Sequence, residues 1–187
     1  MAFVVGITGA SGAVYGLRLL QCLQQAGAET VAILTEAGRQ VLAHECGVTP
    51  DQLRAYATVY HNEDLAAPPA SGSWRGQGMV VAPCSMNSLS MIACGICPNL
   101  LTRAAAVALK EQQPLILVPR ETPLSAVHLG NMHTLALSGA LILPACPNFY
   151  THPNCIQDLV DGVVARILDR LGVPYELGRR WQGGTPL

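Results

Sequence analysis

Charge is scarce in this sequence, and lysine is almost absent from it. Charged residues make up 12% of the 187 positions, and the net charge is −1, whereas soluble proteins carry about 25% charged residues. Lys110 is the sole lysine, and basic residues are adjacent only at Arg179 and Arg180. A chain without a basic patch lacks the electrostatic footprint of a nucleic-acid binder. We therefore expect no nucleic-acid partner, and the low charge predicts a surface that other subunits partly cover.

Long hydrophobic runs are also missing. The chain is 50% hydrophobic, but no run reaches the roughly 18 to 20 apolar residues of a transmembrane helix. The first residues, MAFVVGITGASG, have no basic segment of the kind that opens a signal peptide. Seven cysteines are an odd number, scattered through apolar segments, which favours reduced thiols over disulfides. We expect a cytoplasmic protein that does not enter a membrane.

No metal-binding motif is present either. Cys94 and Cys97 have the spacing of a zinc or redox pair, but a structural zinc site needs a second pair, which the sequence lacks. A thioredoxin-type pair would follow the first strand, whereas this one falls at a predicted helix end. The histidines form no HExxH or similar pattern, and the sequence predicts no metal site; they are His44, His61, His128, His133 and His152.

Short apolar runs alternate with amphipathic patterns along the whole chain. Continuous apolar strands separated by helices indicate a parallel sheet covered on both faces, hence a doubly wound α/β sandwich. The length fits a single domain over residues 1–187. We expect an irregular loop and candidate lid at 67–78, and a mobile tail from about 182. The predicted strands are 3–8, 30–35, 79–84, 114–119 and 140–145, and the predicted helices are 13–26, 36–46, 86–94, 99–112, 124–138 and 155–172.

Polar residues follow several of these strands, at the edge where such sheets bind ligands. The turn Thr8–Gly12 permits close backbone approach to a phosphate, although an ordinary βα turn is the alternative. The second strand ends in Thr35 rather than in the acid that grips an adenosine ribose, which favours a mononucleotide over NAD. The third is followed by the hydroxyl-rich run at 83–88.

The fourth strand ends in Arg120 and Glu121. A guanidinium at a strand end suits anion or carbonyl recognition, and the carboxylate beside it supplies an acid or base. A local ion pair is the alternative. Arg103 and Lys110 lie seven residues apart on one helix face, and Tyr150 with Arg166 offers a hydroxyl and a charge. Either pair can hold a phosphate or can simply be solvated.

The motifs GASG, PCSMNSL, LLTRAAAVALKE, LILVPRETPL, HLGNM, PNFY and VVARILDRLG occur in this order, and the chain resembles the UbiX-type flavin prenyltransferases from residue 3 to Trp181. The resemblance implies a flavodoxin-like, Rossmann-like three-layer α/β/α subunit that binds FMN, in a trimer-based dodecamer. It further implies transfer of the dimethylallyl group of dimethylallyl phosphate to N5 and C6 of reduced FMN, without a metal. The prenylated FMN then serves a UbiD-type decarboxylase, in aromatic acid decarboxylation or ubiquinone biosynthesis.

The resemblance also assigns roles to residues. By this resemblance the catalytic residues are Glu121, Glu45 and Ser11. The residues that would bind the prenyl phosphate, some of them from a neighbouring subunit, are Tyr150, Arg166, Lys110 and Arg103. The residues that would hold FMN are Gly9, Ala10, Ser11, Thr35, Ser85, Met86, Asn87, Ser88 and Arg120.

Two positions depart from the family pattern. Ala106 replaces the aspartate of RAADV, and Gly130 replaces the glutamate of HLENM, which affects the expected subunit contacts and rate. Two other functions stay open from sequence. One is an FMN-dependent cysteine decarboxylase of the same superfamily, and the other is a non-catalytic FMN carrier.

Overall fold

A computed structural model describes residues 1–178 and residue 183, which contain six parallel strands and six α-helices. The strands are β1 Phe3–Ile7, β2 Thr30–Leu34, β3 Thr58–His61, β4 Gly78–Cys84, β5 Leu115–Pro119 and β6 Leu141–Ile142. The helices are α1 Ala13–Gln25, α2 Glu36–Cys46, α3 Met86–Ala93, α4 Leu100–Lys110, α5 Ala126–Leu137 and α6 Ile156–Leu171. Short 3-10 turns occupy Gln52–Ala55 and Pro68–Ala70.

The strands form one sheet in the order β3-β2-β1-β4-β5-β6, and every pairing is parallel. Alternate side chains of each strand enter separate cores. Val5 packs with α1 and α6 on one face, while Val4 packs with α3 and α4 on the other. The four central strands are therefore buried throughout, which explains their continuous apolar sequences. The prediction of a doubly wound three-layer sandwich is confirmed.

The sheet has one strand more than the sequence predicts. The missed strand is β3, whose sequence TVYH is half-exposed and mixes polar with apolar residues, so it lacks the signal of a buried strand. The last strand is shorter than the predicted 140–145. Leu143 and Ala145 still donate backbone hydrogen bonds to β5, but Pro144 between them has no N–H, and β6 is regular only over two residues.

The six predicted helices are confirmed to within two residues at each end. Their starts follow from capping residues, because Thr35, Ser85, Asn99 and Ser125 each accept a hydrogen bond from a backbone N–H of the first turn. The predicted apolar face of α1 is inward, with Leu19, Leu20 and Leu23 fully buried, and Leu17 partly buried against the same core.

The segment at 67–78 runs along α4 towards the amino end of β4. Its carbonyl at Ala70 accepts a hydrogen bond from Arg103 Nε at 2.9 Å, and the carbonyl of Ala2 accepts one from Gln77 N at 3.0 Å. Its role as a lid stays a prediction. The predicted mobile tail from about 182 lies outside the described residues, apart from Gly183. No helix in the described part of the chain combines the length and apolar character needed to cross a bilayer.

Candidate functional site

The candidate site lies at the carboxyl ends of β2, β1, β4 and β5. Strand order reverses between β1 and β4, since β1 is followed in the sheet by β2 on one side and by β4 on the other. Ligands of doubly wound sheets bind at such a switch point. This edge, termed here the cradle, brings together Gly9–Gly12, Thr35, Ser85–Ser88, Arg120 and Glu121.

The β1–α1 turn lies close against the start of α2. A Cβ atom on Gly9 would meet the Cβ of Ala37 at 2.5 Å, so only glycine fits at this point. Gly12, the N-cap of α1, has a φ of 102°, a left-handed conformation that glycine adopts without strain. Gly9 therefore lets the turn pack closely against α2, and Gly12 lets the chain turn into α1.

The carboxylate of Glu45 occupies the N-terminus of α1. Its Oε2 accepts hydrogen bonds from Gly12 N at 2.8 Å and Ala13 N at 3.0 Å. Burial raises the pKa of Glu45, but hydrogen bonds from the Ser11 side chain and these two amides, with the charge of Arg120, outweigh it, so the pKa lies below its usual value. Glu45 is therefore ionised at neutral pH and lies within the cradle.

Arg120 joins the ends of three strands. Its Nε donates to Ser11 O at 3.2 Å, and its backbone N donates to Cys84 O at 3.4 Å. The side chain is otherwise exposed, so its positive charge is accessible at this edge. The adjacent Glu121 is also exposed and caps Thr122 N at 3.0 Å.

The segment Ser85–Ser88 presents the N-terminus of α3 to the cradle. Ser85 Oγ accepts from Ser88 N at 3.3 Å and lies 3.2 Å from Ser88 Oγ. Met86 is 6% exposed and its side chain packs into the core. Asn87 is exposed.

These residues fit FMN. Amide and hydroxyl donors suit the ribityl hydroxyls and ring carbonyls, and Arg120 supplies a cation for an anionic group. No acidic residue ends β2, where Thr35 caps α2 by accepting from Gly38 N at 3.0 Å. The chemistry of this edge is that of a mononucleotide site.

Of the two predicted phosphate ligands on α4, Lys110 lies away from the cradle. Lys110 is the last residue of α4, five residues before β5 begins, and it therefore lies at the amino edge of the sheet. It forms an ion pair with Glu111, while Arg103 holds the carbonyl of Ala70. The length of β5 separates Lys110 from Arg120, so one subunit does not bring these two cations together.

Tyr150 and Arg166 share a third location. They line an open pocket of about 620 Å³ between the β6–α6 connection and α6, together with Asp158, Asp161 and Asp169. Arg166 Nη1 lies 3.4 Å from Asp169 Oδ2 and its side chain is 57% exposed. None of the pocket-lining residues belongs to the cradle, so the predicted site is divided among three places in one subunit.

One residue next to the cradle, Thr8, received no role of its own from the sequence. Thr8 is completely buried, and its hydroxyl is bonded to both Pro83 and Ser85. A threonine at the end of an apolar strand carries no signal of this arrangement, because its partners are 75 and 77 positions away.

The cysteines offer no nucleophile at the cradle. Cys84, at the end of β4, is buried, and burial raises its pKa to about 12. The seven thiols are free. Among residues 1–178 and 183, no group of three or more His, Cys, Asp or Glu side chains is placed to hold a metal ion.

The sheet order, the glycine turn and the donors at the carboxyl edge define a flavoprotein of the doubly wound α/β class, and the protein-family model described as Flavoprotein matches residues 1–168. The chain is 48% identical over 192 positions to the flavin prenyltransferase UbiX of Pseudomonas aeruginosa, covering 95% of this chain and 92% of that protein. The chain belongs to the UbiX-type flavin prenyltransferase family, as its motifs predict.

Solved structures agree with this assignment. AnUbiX (PadA1), crystallised with FMN and dimethylallyl pyrophosphate, superposes with a TM-score of 0.93 at 40% identity, covering 98% of both chains. A dodecameric FMN-dependent UbiX-like decarboxylase from Escherichia coli O157:H7 gives 0.95 at 42% identity, covering 98% of this chain and 100% of that one. The FMN-dependent cysteine decarboxylase TvaF, at 20% identity and 0.67, shares the fold alone.

Proposed function

We propose that this protein is a flavin prenyltransferase, which transfers the dimethylallyl group of dimethylallyl phosphate to N5 and C6 of reduced FMN. The observation that carries the proposal is the cradle, where Arg120 and the ionised Glu45 meet around the Ser11 turn. It is supported by family membership and by the relative crystallised with FMN and a prenyl donor.

The cradle holds the flavin in this proposal. Backbone amides of Gly9, Ala10 and Ser11 and the hydroxyl of Thr35 face one part of the FMN. The α3 start, Ser85 to Ser88, and the Arg120 guanidinium face another part. Reduced FMN, when bound, supplies the nucleophilic N5 and C6 atoms, and the protein orients them and excludes water.

Cationic residues hold the leaving phosphate. Cleavage of the allylic C–O bond leaves a phosphate dianion, which cations and hydroxyls stabilise without a metal. Tyr150, Arg166, Lys110 and Arg103 are of the right types. Because Lys110 lies at the opposite sheet edge from Arg120, a neighbouring subunit supplies it to the cradle.

The two carboxylates have separate tasks. Glu45 fixes the α1 start through Gly12 and Ala13, and its negative charge faces the prenyl fragment as positive charge develops there. Glu121 is exposed beside Arg120 and moves a proton at the phosphate oxygen or at flavin C6.

The assembly and the fate of the product belong to the same proposal. A homo-oligomer, of the dodecameric kind found in the Escherichia coli relative, brings α4 of one subunit to the cradle of another. The product, prenylated FMN, is passed to a UbiD-type decarboxylase.

The test separates donor use from flavin binding. Lys110→Ala and Arg166→Ala should each raise the KM for dimethylallyl phosphate by about tenfold or more, because a charge-assisted phosphate contact is lost. Their FMN dissociation constants, measured by quenching of flavin fluorescence, should stay within about twofold of wild type. Equal loss of FMN binding in both variants would argue against the assignment.

Two other activities give different readouts. A cysteine decarboxylase would release CO₂ from a peptide ending in cysteine, and the described fold is compatible with one. A non-catalytic carrier would bind FMN and return it with its mass unchanged. No residue of the cradle favours either activity over prenyl transfer.

A further inference from the structure

The sheet is interrupted beside the cradle. Between β1 and β4, regular pairing ends at Gly6 and Val81, and the β4–β5 register shifts between Val81 and Cys84. Pro83 has no N–H to donate at this point. The carboxyl ends of β1 and β4 therefore need another connection if their two loops are to keep a fixed spacing.

The hydroxyl of Thr8 supplies that connection. Thr8 Oγ1 donates to Pro83 O at 2.7 Å and accepts from Ser85 N at 2.7 Å. Thr8 N also donates to Pro83 O, at 3.2 Å. The residue is 0% exposed, so water cannot replace either hydroxyl bond if the oxygen is removed.

The two partners of Thr8 lead directly into the two halves of the cradle. Thr8 precedes the turn Gly9–Gly12, and Ser85 is the N-cap of α3. A shift of Ser85 moves Asn87 and Ser88 relative to the Gly9–Gly12 turn, to whose Ser11 O the Arg120 side chain is bonded. The Arg120 backbone N is bonded to Cys84 O, at the end of β4. The Thr8 hydroxyl thus links the end of β1 directly to the backbone N–H of Ser85, where the α3 part of the cradle begins.

We propose that Thr8 is a positioning residue for FMN, one that fixes the β1–α1 turn and the α3 start at the separation the flavin requires. The inference rests on the FMN site proposed above. Thr8 acts through its neighbours, since its buried side chain does not itself face the cradle. The competing view is that Thr8 only stabilises the sheet, with no specific effect on the flavin.

A hydroxyl-deletion pair separates these views. Thr8→Val keeps the shape and removes the oxygen, so Ser85 N loses its partner and Pro83 O keeps only its bond from Thr8 N. Thr8→Ser keeps the oxygen. The matched control is Thr30→Val, because Thr30 is 6% exposed and its hydroxyl bonds to Ala28 O at 3.2 Å. Thr30 begins β2, at the amino edge and away from the cradle.

Binding of oxidised FMN to each variant is measured by fluorescence quenching. Thermal unfolding and prenyl transfer to reduced FMN are measured for the same variants. Thr8→Val should weaken FMN binding about tenfold or more, Thr8→Ser by no more than about threefold, and Thr30→Val by no more than about twofold. The KM for dimethylallyl phosphate in Thr8→Val should remain within about twofold of wild type.

Wild-type FMN affinity in Thr8→Val, or equal losses in Thr8→Val and Thr30→Val, would overturn the proposal. If Thr8→Val does not fold, Thr8→Cys replaces it, because sulfur forms longer and weaker hydrogen bonds. An FMN affinity in Thr8→Cys at least about threefold below that of Thr8→Ser then supports the positioning role, and equal affinities contradict it. Failure of the prenyl-transfer assay in wild type would instead refute the proposed function, while the FMN binding data would still test Thr8.

Discussion

The negative charge of Glu45 also stabilises the folded protein. Burial raises the pKa of Glu45, but hydrogen bonds from Ser11, Gly12 and Ala13 lower the pKa by more than burial raises it. Because the folded pKa lies below the unfolded value of about 4.3, stabilisation by the carboxylate is complete above that pH and is lost as the pH falls through the folded pKa. At pH 7, Glu45→Gln should lower the free energy of unfolding by about 0.5 kcal/mol, as expected for an anion at a helix start.

The free energy of unfolding of both proteins is measured with urea, at fixed protein concentration, between about pH 3 and 7. This range includes the usual pKa of a carboxyl group. The difference in the free energy of unfolding between wild type and Glu45→Gln should shrink as the pH falls below about 4. A difference independent of pH would show that the charge of Glu45 contributes nothing to stability.

Arg120 is the cation of the cradle, and its geometry matters as well as its charge. Its Nε bond to Ser11 O orients the guanidinium, and a lysine has no fork to reproduce this bond together with a ligand contact. Arg120→Ala should weaken FMN binding about tenfold to a hundredfold, and Arg120→Lys should recover only part of the loss. Isothermal titration with FMN measures both, and full recovery by lysine would mean that charge alone is needed.

At the scale of elements, the sequence predicts what local chemistry determines. The four buried strands and the capped helices were predictable because apolar runs and caps such as Thr35 and Ser85 act locally. The edge strand β3 was not, because its half-exposed sequence resembles a loop. Of the site, the cradle was predictable from strand ends, whereas the link from Thr8 to Ser85 spans 77 positions and only the folded chain shows it.

Helix α5 exposes apolar side chains that a soluble monomer would bury. Val127, Leu129 and Leu137 are 68%, 53% and 77% exposed, and Gly130 faces open space. An apolar helix face of this kind marks a protein interface, so Leu137→Glu should shift the protein to smaller species in sedimentation velocity. Gln52→Glu, on an exposed 3-10 turn, adds the same single negative charge and should leave the mass unchanged. Unchanged assembly in Leu137→Glu would place the subunit interface elsewhere.

At the scale of the whole molecule, the distribution of the site predicts complementation between subunits. Within one chain, Lys110 lies at the amino ends of the strands and Arg120 at their carboxyl ends. An active site that contains both residues therefore takes Lys110 from one subunit and Arg120 from another. With donor and FMN kept near their wild-type constants, co-refolded Lys110→Ala and Arg120→Ala subunits should restore about a quarter of wild-type sites by random assembly. Each variant alone contains no wild-type site. No recovery, with mixed oligomers shown by native mass spectrometry, would place both residues within one subunit's site.

Prenyl transfer itself is tested most directly by the mass of the flavin. The FMN-loaded protein is reduced under anaerobic conditions and dimethylallyl phosphate is added. The mass of the released cofactor is then measured by mass spectrometry. The released flavin should gain one C5H8 unit. This gain should be slower with Lys110→Ala and absent for reduced FMN without protein. Unchanged FMN from wild-type protein, with reductant and donor shown to be intact, would contradict prenyl transfer.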